Sequence, residues 1–213
     1  SPVLNAENGV LYCLSTGGFG TKEQGTSSTV FCISTEDGSE VWSASIDGAS
    51  FSSVAFDSEK NLLFASTFWV DKAENKFQNL TFDYADSEGA FYCLDAEGGD
   101  IVWEAELDGG SLHNTSPAIS NGIVYVTNRN FWFSSQGYII PAFRSSPLYA
   151  FDEEDGSLLW TYQSGENTGF TGSPSISEDK VFICMSYGGY DSGIASTITC
   201  LDAESGEEEW VYE

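Results

Sequence analysis

A phrase that recurs four times constrains the fold of this 213-residue chain more than any other feature. Each copy runs from a small residue, through an acidic turn that contains glycine, to a tryptophan ten positions later. The copies are FCISTEDGSEVW (31–42), YCLDAEGGDIVW (92–103), YAFDEEDGSLLW (149–160) and TCLDAESGEEEW (199–210). Ungapped copies at a period of about 50–60 residues indicate a repeat architecture, in which one structural unit stacks on the next.

A second phrase precedes each copy, and in it a polar turn separates two short apolar runs. These phrases are SPVLNAENGVLYCLS (1–15), SVAFDSEKNLLFAS (53–66), SPAISNGIVYVTN (116–128) and SPSISEDKVFICMS (173–186). Short apolar runs on both sides of a polar turn are typical of paired antiparallel strands. The tryptophan phrase has the same form, with glycine where a tight turn needs positive φ. Each repeat therefore predicts four strands.

Four strands per repeat are the pattern of a β-propeller blade, a four-stranded meander that packs face to face on the next blade. We therefore predict an all-β chain with a single β-propeller domain over residues 1–213, and blades at approximately 1–47, 52–108, 115–163 and 172–213. A single blade cannot bury both of its faces, so each copy repeats the residues that dock it to its neighbour. The expected docking residues are Trp42, Trp103, Trp160 and Trp210 together with Gly38, Gly99, Gly156 and Gly206.

The LDAExGxxxW phrase, with SPxxxxxxVYV upstream of it, resembles the PQQ-like repeat of quinoprotein dehydrogenases and of BamB-type outer-membrane assembly lipoproteins. The resemblance covers essentially the whole chain and implies the propeller fold. Two copies depart from the pattern: Val54 stands where the other upstream phrases have proline, and Ser34 stands where the other tryptophan phrases have aspartate. The family normally closes its ring with eight blades. We therefore expect these four blades to form either a closed four-blade ring or half of an eight-bladed ring.

The connections between the second and third strands of each repeat, the B–C loops, are long and differ from one another. They span 16–29, 67–89, 129–146 and 187–197. Two of them are rich in aromatic residues, and one also contains both arginines of the chain. Long loops on a regular scaffold often carry function, and aromatic residues with arginine are frequent anchors of binding sites. The residues predicted to bind a protein or a glycan are Phe68, Trp69, His113, Arg129, Phe131, Trp132, Tyr138, Phe143 and Arg144.

The alternative for these loops is that their aromatic residues pack on one another as small cores of their own. The same face carries two sequons, at Asn79 and Asn114. A sequon is glycosylated only in a protein that passes through a glycosylating secretory pathway.

The five cysteines form no CxxC motif, which argues against zinc and redox motifs. Alignment of the repeats places cysteines on the neighbouring strands B and C of two blades. The sequence leaves two alternatives open, namely small buried hydrophobic residues or the cross-strand disulfides Cys13–Cys32 and Cys184–Cys200. The strand register decides between them, because a disulfide needs its Cβ atoms within roughly 4 Å of each other.

The charge of the chain excludes some classes of partner. With 33 acidic and 7 basic residues, the formal net charge is −26. Such a surface repels nucleic acid and anionic membranes, and no apolar run approaches the roughly 20 residues of a membrane helix. The sequence contains no EF-hand-like loop, and we predict no metal site. The acidic surface suits a secreted setting or salt water, and we predict an extracytoplasmic location (secreted, cell surface or periplasmic).

The resemblance also raises the class of PQQ dehydrogenases, in which a disulfide of adjacent cysteines, a catalytic aspartate and Asn/Glu ligands to calcium are typical. This sequence has no adjacent cysteines and a single histidine, so no catalytic constellation is convincing. We predict a non-enzymatic scaffold or binding propeller without a cofactor, in which self-association is one way to complete a ring or a surface assembly. The alternatives are a fragment of a quinoprotein dehydrogenase that binds PQQ and calcium, and a BamB-like outer-membrane assembly factor.

Overall fold

The structure is a computed structural model that describes residues 1–18, 20–69, 72–76, 79–83, 88–107, 115–127, 132–133, 139–140, 147–163, 168–170, 172–189 and 193–213. Within these ranges the regular secondary structure is β-strand except for one 3-10 helix (Lys22–Gln24), which confirms the all-β prediction. No helix in this part of the chain is long and apolar enough to cross a membrane.

Four antiparallel meanders follow one another along the chain. We number these blades one to four and call the strands of each blade A to D. Blade one contains β1 (Val3–Asn5), β2 (Val10–Thr16), β3 (Ser27–Ser34) and β4 (Glu40–Asp47). Blade two contains β5 (Ala55–Asp57), β6 (Leu62–Phe68), β9 (Gly89–Asp95) and β10 (Ile101–Leu107). Blade three contains β11 (Ala118–Ser120), β12 (Ile123–Thr127), β15 (Pro147–Asp152) and β16 (Leu158–Gln163). Blade four contains β18 (Ser175–Ser177), β19 (Lys180–Gly189), β20 (Gly193–Asp202) and β21 (Glu208–Tyr212).

Five further strands lie in the connections between these elements. They are β7 (Lys72–Lys76), β8 (Asn79–Asp83), β13 (Trp132–Phe133), β14 (Ile139–Ile140) and β17 (Thr168–Phe170). The first four form two short hairpins, β7–β8 and β13–β14, and β17 pairs with the distal half of β19.

Apolar side chains of consecutive blades meet in three core clusters, one between each pair of neighbours. Tyr12 of blade one, for example, packs in one cluster with Leu63 and Tyr92 of blade two. This face-to-face stacking confirms the propeller prediction. Among the described residues no comparable cluster joins blade four to blade one, so the four blades form an open arc.

Strand C shows how the place of a blade in the stack decides its burial pattern. In β3 of blade one, Ser28, Val30 and Cys32 are buried and the residues between them are half-buried. In β9 of blade two, every residue from Gly89 to Leu94 is buried. Successive residues of a strand face opposite sides of the sheet. Alternation therefore marks a sheet covered on one side, and a continuous buried run marks a sheet covered on both.

An aspartate holds the turn between strands C and D. In blade three, the Asp152 carboxylate accepts hydrogen bonds from the backbone N–H groups of Glu154 (2.8 Å) and Asp155 (3.3 Å). In blade one the hydroxyl of Ser34 takes this role and accepts a hydrogen bond from the Glu36 N–H at 3.2 Å. Aspartate and serine both stabilise turns in this way. The departure of Ser34 from the family pattern therefore leaves the turn intact.

The strand register corrects the first predicted disulfide. Cys13 lies opposite Phe31, and Cys32 lies opposite Tyr12. The two cysteines are thus one residue out of register and point to opposite faces of blade one, because side chains alternate along a strand. All five cysteines of the chain are thiols in the structure.

The second predicted disulfide is corrected for a different reason. Cys184 lies opposite Ile198, and Cys200 lies opposite Phe182. These two cysteines share one face of blade four but occupy diagonal positions on neighbouring strands. The Cα atoms of such a diagonal pair are roughly 7–8 Å apart. That distance is too long for a disulfide.

Candidate functional site

Hairpins extend one face of the arc. The hairpin β7–β8 is inserted between strands B and C of blade two, and the hairpin β13–β14 is inserted at the same place in blade three. Strands β8 and β13 are in contact, so the two hairpins lie side by side. In blade four, β19 and β20 stay paired in register out to Gly189 and Gly193, which lengthens that blade at the same end. We call the surface formed by the B–C loops 16–29, 67–89, 129–146 and 187–197 the loop face.

Two of the predicted binding residues are buried at the base of this face. Phe68 and Trp69 are both in the packed interior, and Trp69 belongs to the core between blades one and two. The Lys22 ammonium lies 5.1 Å from the centroid of the Trp69 ring and 3.3 Å from the Glu88 carboxylate. Aromatic anchors of a binding site must reach a partner. The expectation that Phe68 and Trp69 contact a partner is therefore corrected: they pack the base of the loop.

Sequence reasoning missed the exposed residues that surround this base. Phe51, in the connection between blades one and two, is exposed, and its ring centroid lies 6.0 Å from that of Phe68. Lys22 and Glu88, which pair above Trp69, are also largely exposed. The signal available for Phe51 was a single aromatic residue among Gly, Ala and Ser in a short connection.

Most of the other predicted binding residues lie outside the described residues. Trp132 is in β13 and Asn79 is in β8, and for both the structure describes the backbone. The residues that fall outside the described ranges are His113, Asn114, Arg129, Phe131, Tyr138, Phe143 and Arg144.

In blades one to three, the repeated tryptophan packs on the repeated glycine of the next blade. A Cβ atom added to Gly99 would lie 2.7 Å from the Trp42 ring, and one added to Gly156 would lie 2.6 Å from the Trp103 ring. Gly206 has the same relation to Trp160, also at 2.6 Å. Any side chain at these glycines would overlap the indole. The small residue is thus required for the close approach of the blades.

A hydrogen bond fixes each of these indoles. The indole N–H donates to the backbone carbonyl three residues before the glycine of the next blade. Trp42 donates to the Ala96 carbonyl at 3.2 Å, and Trp103 donates to the Glu153 carbonyl at 3.0 Å. Trp160 repeats the bond to Ala203 at 3.1 Å. A buried indole N–H needs such a partner, so the bond sets the position of one blade on the next.

Serines at the start of strand A form a second ladder across the blades. The Ser1 ammonium donates to the Ser53 hydroxyl at 2.6 Å, the Ser53 N–H donates to the Ser116 hydroxyl at 3.0 Å, and the Ser116 N–H donates to the Ser173 hydroxyl at 3.0 Å. The last three serines therefore accept a hydrogen bond from the blade before, and the first three donate one to the blade after. The serine of the upstream phrase thus has a docking role that the sequence pattern alone did not indicate.

One interface contains a buried carboxyl group. Glu153 of blade three occupies the position of Ala96 and Ala203 in the neighbouring repeats, and its side chain is fully buried. The Lys60 ammonium of blade two lies 3.7 Å from one Glu153 carboxyl oxygen and 2.9 Å from the carboxylate of exposed Glu154. Burial of an ionised carboxylate is costly, so the group gains stability by keeping its proton.

The neighbouring Asp57 strengthens this effect. Burial first, and then the adjacent Asp57 carboxyl, raise the pKa of Glu153 to about 7, and Lys60 opposes the rise. Burial acts to raise the pKa of Asp57 as well, but hydrogen bonds from Glu153 and from the N–H groups of Glu59 and Lys60 outweigh it and lower that pKa. Below about pH 7, Asp57 is therefore the ionised member of the pair and Glu153 holds the proton.

We expect this pair to make stability depend on pH. The unfolded chain releases the Glu153 proton near pH 4.5 and the folded chain near pH 7. The folded state therefore binds more protons between these values, and stability falls as pH rises through that window. Glu153→Gln should remove this loss, on the order of 2–3 kcal/mol at pH 8 relative to pH 5. Urea unfolding at both pH values measures the effect.

The matched control for this prediction is Glu154→Gln, which neutralises the exposed carboxylate beside the same lysine. It should leave the pH profile of the wild-type protein between pH 5 and pH 8 nearly unchanged, because exposed ion pairs contribute little. Parallel profiles for wild type and Glu153→Gln would show that Glu153 does not titrate in this range.

The resemblance to quinoproteins implies that calcium and PQQ are bound. The potential metal ligands of this chain can therefore be compared with the ligands that calcium requires. Calcium binds about six to eight oxygen ligands from carboxylates, amides and carbonyls. Across the described ranges, no three His, Cys, Asp or Glu side chains converge on one point. The Glu153 carboxyl lies beside the Lys60 ammonium, 3.7 Å away. The described residues therefore do not form a calcium site.

Comparison with known proteins gives one family and several distant relatives. The family described as outer membrane protein assembly factor BamB matches residues 26–213. The tetrathionate hydrolase of Acidithiobacillus ferrooxidans is 27% identical over 128 residues, which cover 57% of this chain and 23% of that protein.

Among solved structures, the quinohemoprotein alcohol dehydrogenase of Pseudomonas putida superposes with a TM-score of 0.63 at 18% identity, over all of this chain and 33% of its own. The corresponding enzyme of Comamonas testosteroni gives a TM-score of 0.59 at 15% identity, over all of this chain and 34% of its own. The chain thus spans about a third or less of the length of each relative. At these identities the structures show a shared fold.

Proposed function

The chain belongs to the family described as outer membrane protein assembly factor BamB, and on this premise we propose that it is a non-enzymatic, extracytoplasmic scaffold that binds a protein or a glycan through its loop face. The propeller supplies the rigid support, and the B–C loops supply the contacts. This division of roles is common in folds where long loops project from a regular framework.

The observation that carries the proposal is the pair of adjacent hairpins on the loop face. β7–β8 and β13–β14 are inserted at the same point of neighbouring blades, and β8 lies against β13. Together they form a surface that extends across two blades. Phe51, Lys22 and Glu88 add an exposed aromatic ring and both signs of charge nearby. An apolar centre with a charged rim is the usual anatomy of a binding surface.

The family and the charge support the extracytoplasmic location. The family description names an outer membrane assembly factor, and a net charge of −26 keeps a chain soluble and away from anionic membrane surfaces. The enzymatic relatives carry less weight for this chain, because it spans about a third or less of their length and its described residues form no calcium site.

Trp132→Ala tests the proposal. If the Trp132 side chain serves binding as proposed, the free energy of unfolding should change by less than about 1 kcal/mol, because substitutions outside the core have small effects. Binding to arrays of defined glycans and of extended peptides should weaken at least tenfold for the ligands that wild type retains, because tryptophans are frequent binding hot spots. Urea unfolding and array titration provide the two measurements.

Leu158→Ser is the control, because Leu158 is an exposed apolar residue on strand D of blade three, away from the loop face. It should change neither stability nor the array profile. The proposal fails if Trp132→Ala unfolds the chain, because the loop is then a structural core. It also fails if wild type binds neither array.

A further inference from the structure

The first and the third interface between neighbouring blades share one pair of hydrogen bonds. At the first interface, the Ala96 carbonyl accepts from the Trp42 indole and from the Tyr12 hydroxyl, both at 3.2 Å. At the third interface, the Ala203 carbonyl accepts the two equivalent bonds at 3.1 and 3.0 Å. Burial raises the pKa of Tyr12 and of Tyr125, the two hydroxyl donors. These bonds therefore do not change with pH in the neutral range.

The middle interface, between blades two and three, departs from this pattern in two ways. The Glu153 carbonyl accepts from Trp103 at 3.0 Å, but Phe64 stands where the other two interfaces have tyrosine. The Glu153 side chain, which replaces an alanine, is fully buried. Among the described residues, the ionised carboxylate has no hydrogen-bond donor on either oxygen, and the Lys60 ammonium stays 3.7 Å away. A buried carboxylate without donors is costly.

The groups around this carboxyl leave Glu153 as the one that titrates near neutral pH. The charged and titratable groups of its surroundings are Asp57, Lys60, Cys93 and Asp95 of blade two and Asp152 and Glu154 of blade three. Lys60 also pairs with Glu154 at 2.9 Å, so its charge is shared. Burial raises the pKa of Cys93 to about 12, so this thiol stays neutral. Asp57 is ionised and repels a second negative charge.

We propose that the middle interface is a proton-controlled hinge, which is closed while Glu153 holds its proton and opens when Glu153 releases that proton to solvent. In the closed interface the protonated carboxyl is neutral beside Asp57. The ionised carboxylate regains water only where blades two and three separate, so ionisation favours the open form. Blade two keeps its core cluster with blade one, and blade three keeps its cluster with blade four. Opening therefore needs no blade to unfold.

The pH range of the opening follows from the difference between the two forms. The pKa of Glu153 is about 7 in the closed interface, where burial and then Asp57 raise it, against 4.5 for a solvated glutamate. The closed form therefore binds the proton more tightly. The open fraction rises with pH between these two values and levels off above the higher one. The opening constant should increase on the order of 50- to 100-fold between pH 5 and pH 8.

The hinge joins the two blades that carry the hairpins of the loop face. β7–β8 belongs to blade two, β13–β14 belongs to blade three, and β8 contacts β13. A change in the angle between these blades changes the shape of the surface that the two hairpins form together. A ligand that fits the closed form therefore binds more tightly at pH 5 than at pH 8. This consequence rests on the proposed function, whereas the opening itself does not.

The Cys93 thiol reports the opening directly. Cys93 is 0% exposed and packs in the core of the middle interface, and Cys32 has the same place at the first interface and is 2% exposed. The full chain is labelled with dithiodipyridine at pH 5 and pH 8, and the labelled peptides are quantified by mass spectrometry. The rate for a free thiol peptide at the same pH, divided by the rate in the protein, gives a protection factor.

We expect the protection factor of Cys93 to fall on the order of 50- to 100-fold from pH 5 to pH 8. That of Cys32 should stay nearly constant, because separation of blade one leaves the surroundings of Glu153 unchanged. Cys93 should also be at least tenfold less protected at pH 8 than the unfolding constant from urea titration predicts, because a local opening precedes global unfolding.

Two variants test the role of the carboxyl. Glu153→Gln should make the protection of Cys93 nearly independent of pH, because it has no proton to release. Phe64→Tyr combined with Glu153→Ala rebuilds the pattern of the other two interfaces and should do the same. Glu154→Gln is the matched control and should keep the wild-type fall.

Three results would each overturn the hinge. The first is equal protection of Cys93 at pH 5 and pH 8 in wild type. The second is a fall in Glu153→Gln as large as that in wild type. The third is a protection factor that is the same for Cys93 and Cys32 at each pH and equals the unfolding constant, because both thiols are then exposed by global unfolding. None of these results depends on whether the loop face binds a ligand.

Discussion

Trp103→Ala is expected to lower the free energy of unfolding by about 3–5 kcal/mol, the usual cost of removing a buried tryptophan. The indole lies between blades two and three, with its ring centroid 5.8 Å from Phe64, 5.6 Å from Phe91 and 6.3 Å from Phe151. Alanine leaves a cavity there, and the Glu153 carbonyl loses its hydrogen-bond donor. Urea unfolding followed by circular dichroism measures the loss.

Trp210→Ala is the matched control for this experiment. The residue has the same place in its repeat but is about half exposed. We expect a loss below about 1 kcal/mol, because little packing is removed from a partly exposed ring. Equal losses for the two variants would mean that the tryptophan stabilises its own blade and not the contact with the next.

Gly156→Ala is expected to cost about 2–4 kcal/mol, because strain in the left-handed region adds to overpacking against a fixed neighbour. Its φ is +72° and the new Cβ would lie 2.6 Å from Cδ2 of Trp103. The ring has no free space to retreat, because three aromatic rings surround it. The free energy of unfolding from urea titration again gives the result.

Gly38→Ala measures the strain alone, so comparing it with Gly156→Ala isolates the cost of overpacking. Gly38 has φ +74°, nearly the value of Gly156, but nothing lies within 4 Å of its Cβ position. Its loss should be limited to the strain, about 1–2 kcal/mol. If Gly38→Ala and Gly156→Ala are equally destabilised, the ring contact has no energetic weight and the docking role of the glycine is wrong.

The fold could be predicted from the sequence because the four copies of the tryptophan phrase align without gaps. The glycine precedes the tryptophan by four positions in all four copies, as Gly99 precedes Trp103. The geometry expected for one blade therefore applies to the other three. The four-stranded meander followed from apolar runs around polar turns. The positive φ of the turn glycines followed from the tight acidic turns.

Register could not be read from the same patterns. Cys13 and Cys32 differ by one residue from a cross-strand pair, and a slip of one residue moves a side chain to the other face. Both faces of an inner blade are apolar, so hydrophobic alternation does not mark which residues share a face. The burial of Phe68 and Trp69 could not be predicted from the sequence either. An aromatic residue at the end of a strand can pack in a core or contact a ligand, and the sequence pattern is the same in both cases.

The chemistry of the middle interface was visible only by comparing repeats. The Tyr12 hydroxyl donates to the Ala96 carbonyl at 3.2 Å, and Tyr125 donates to Ala203 at 3.0 Å. At the same position blade two has Phe64, which has no hydroxyl, and the facing alanine is replaced by Glu153. The two replacements occur at one interface. A position-by-position reading of the copies would have singled out Glu153 as a buried titratable group.

The separate core clusters have a consequence for how the chain comes apart. Each cluster joins one blade to the next, so the free energy accumulates along a line, as in a one-dimensional lattice with nearest-neighbour coupling. The two inner blades are coupled on both sides and the two outer blades on one. Unfolding of these four blades is therefore expected to begin in the outer two and to proceed to the inner two. Insertion of a whole additional module lengthens the lattice by one coupling and leaves the others unchanged.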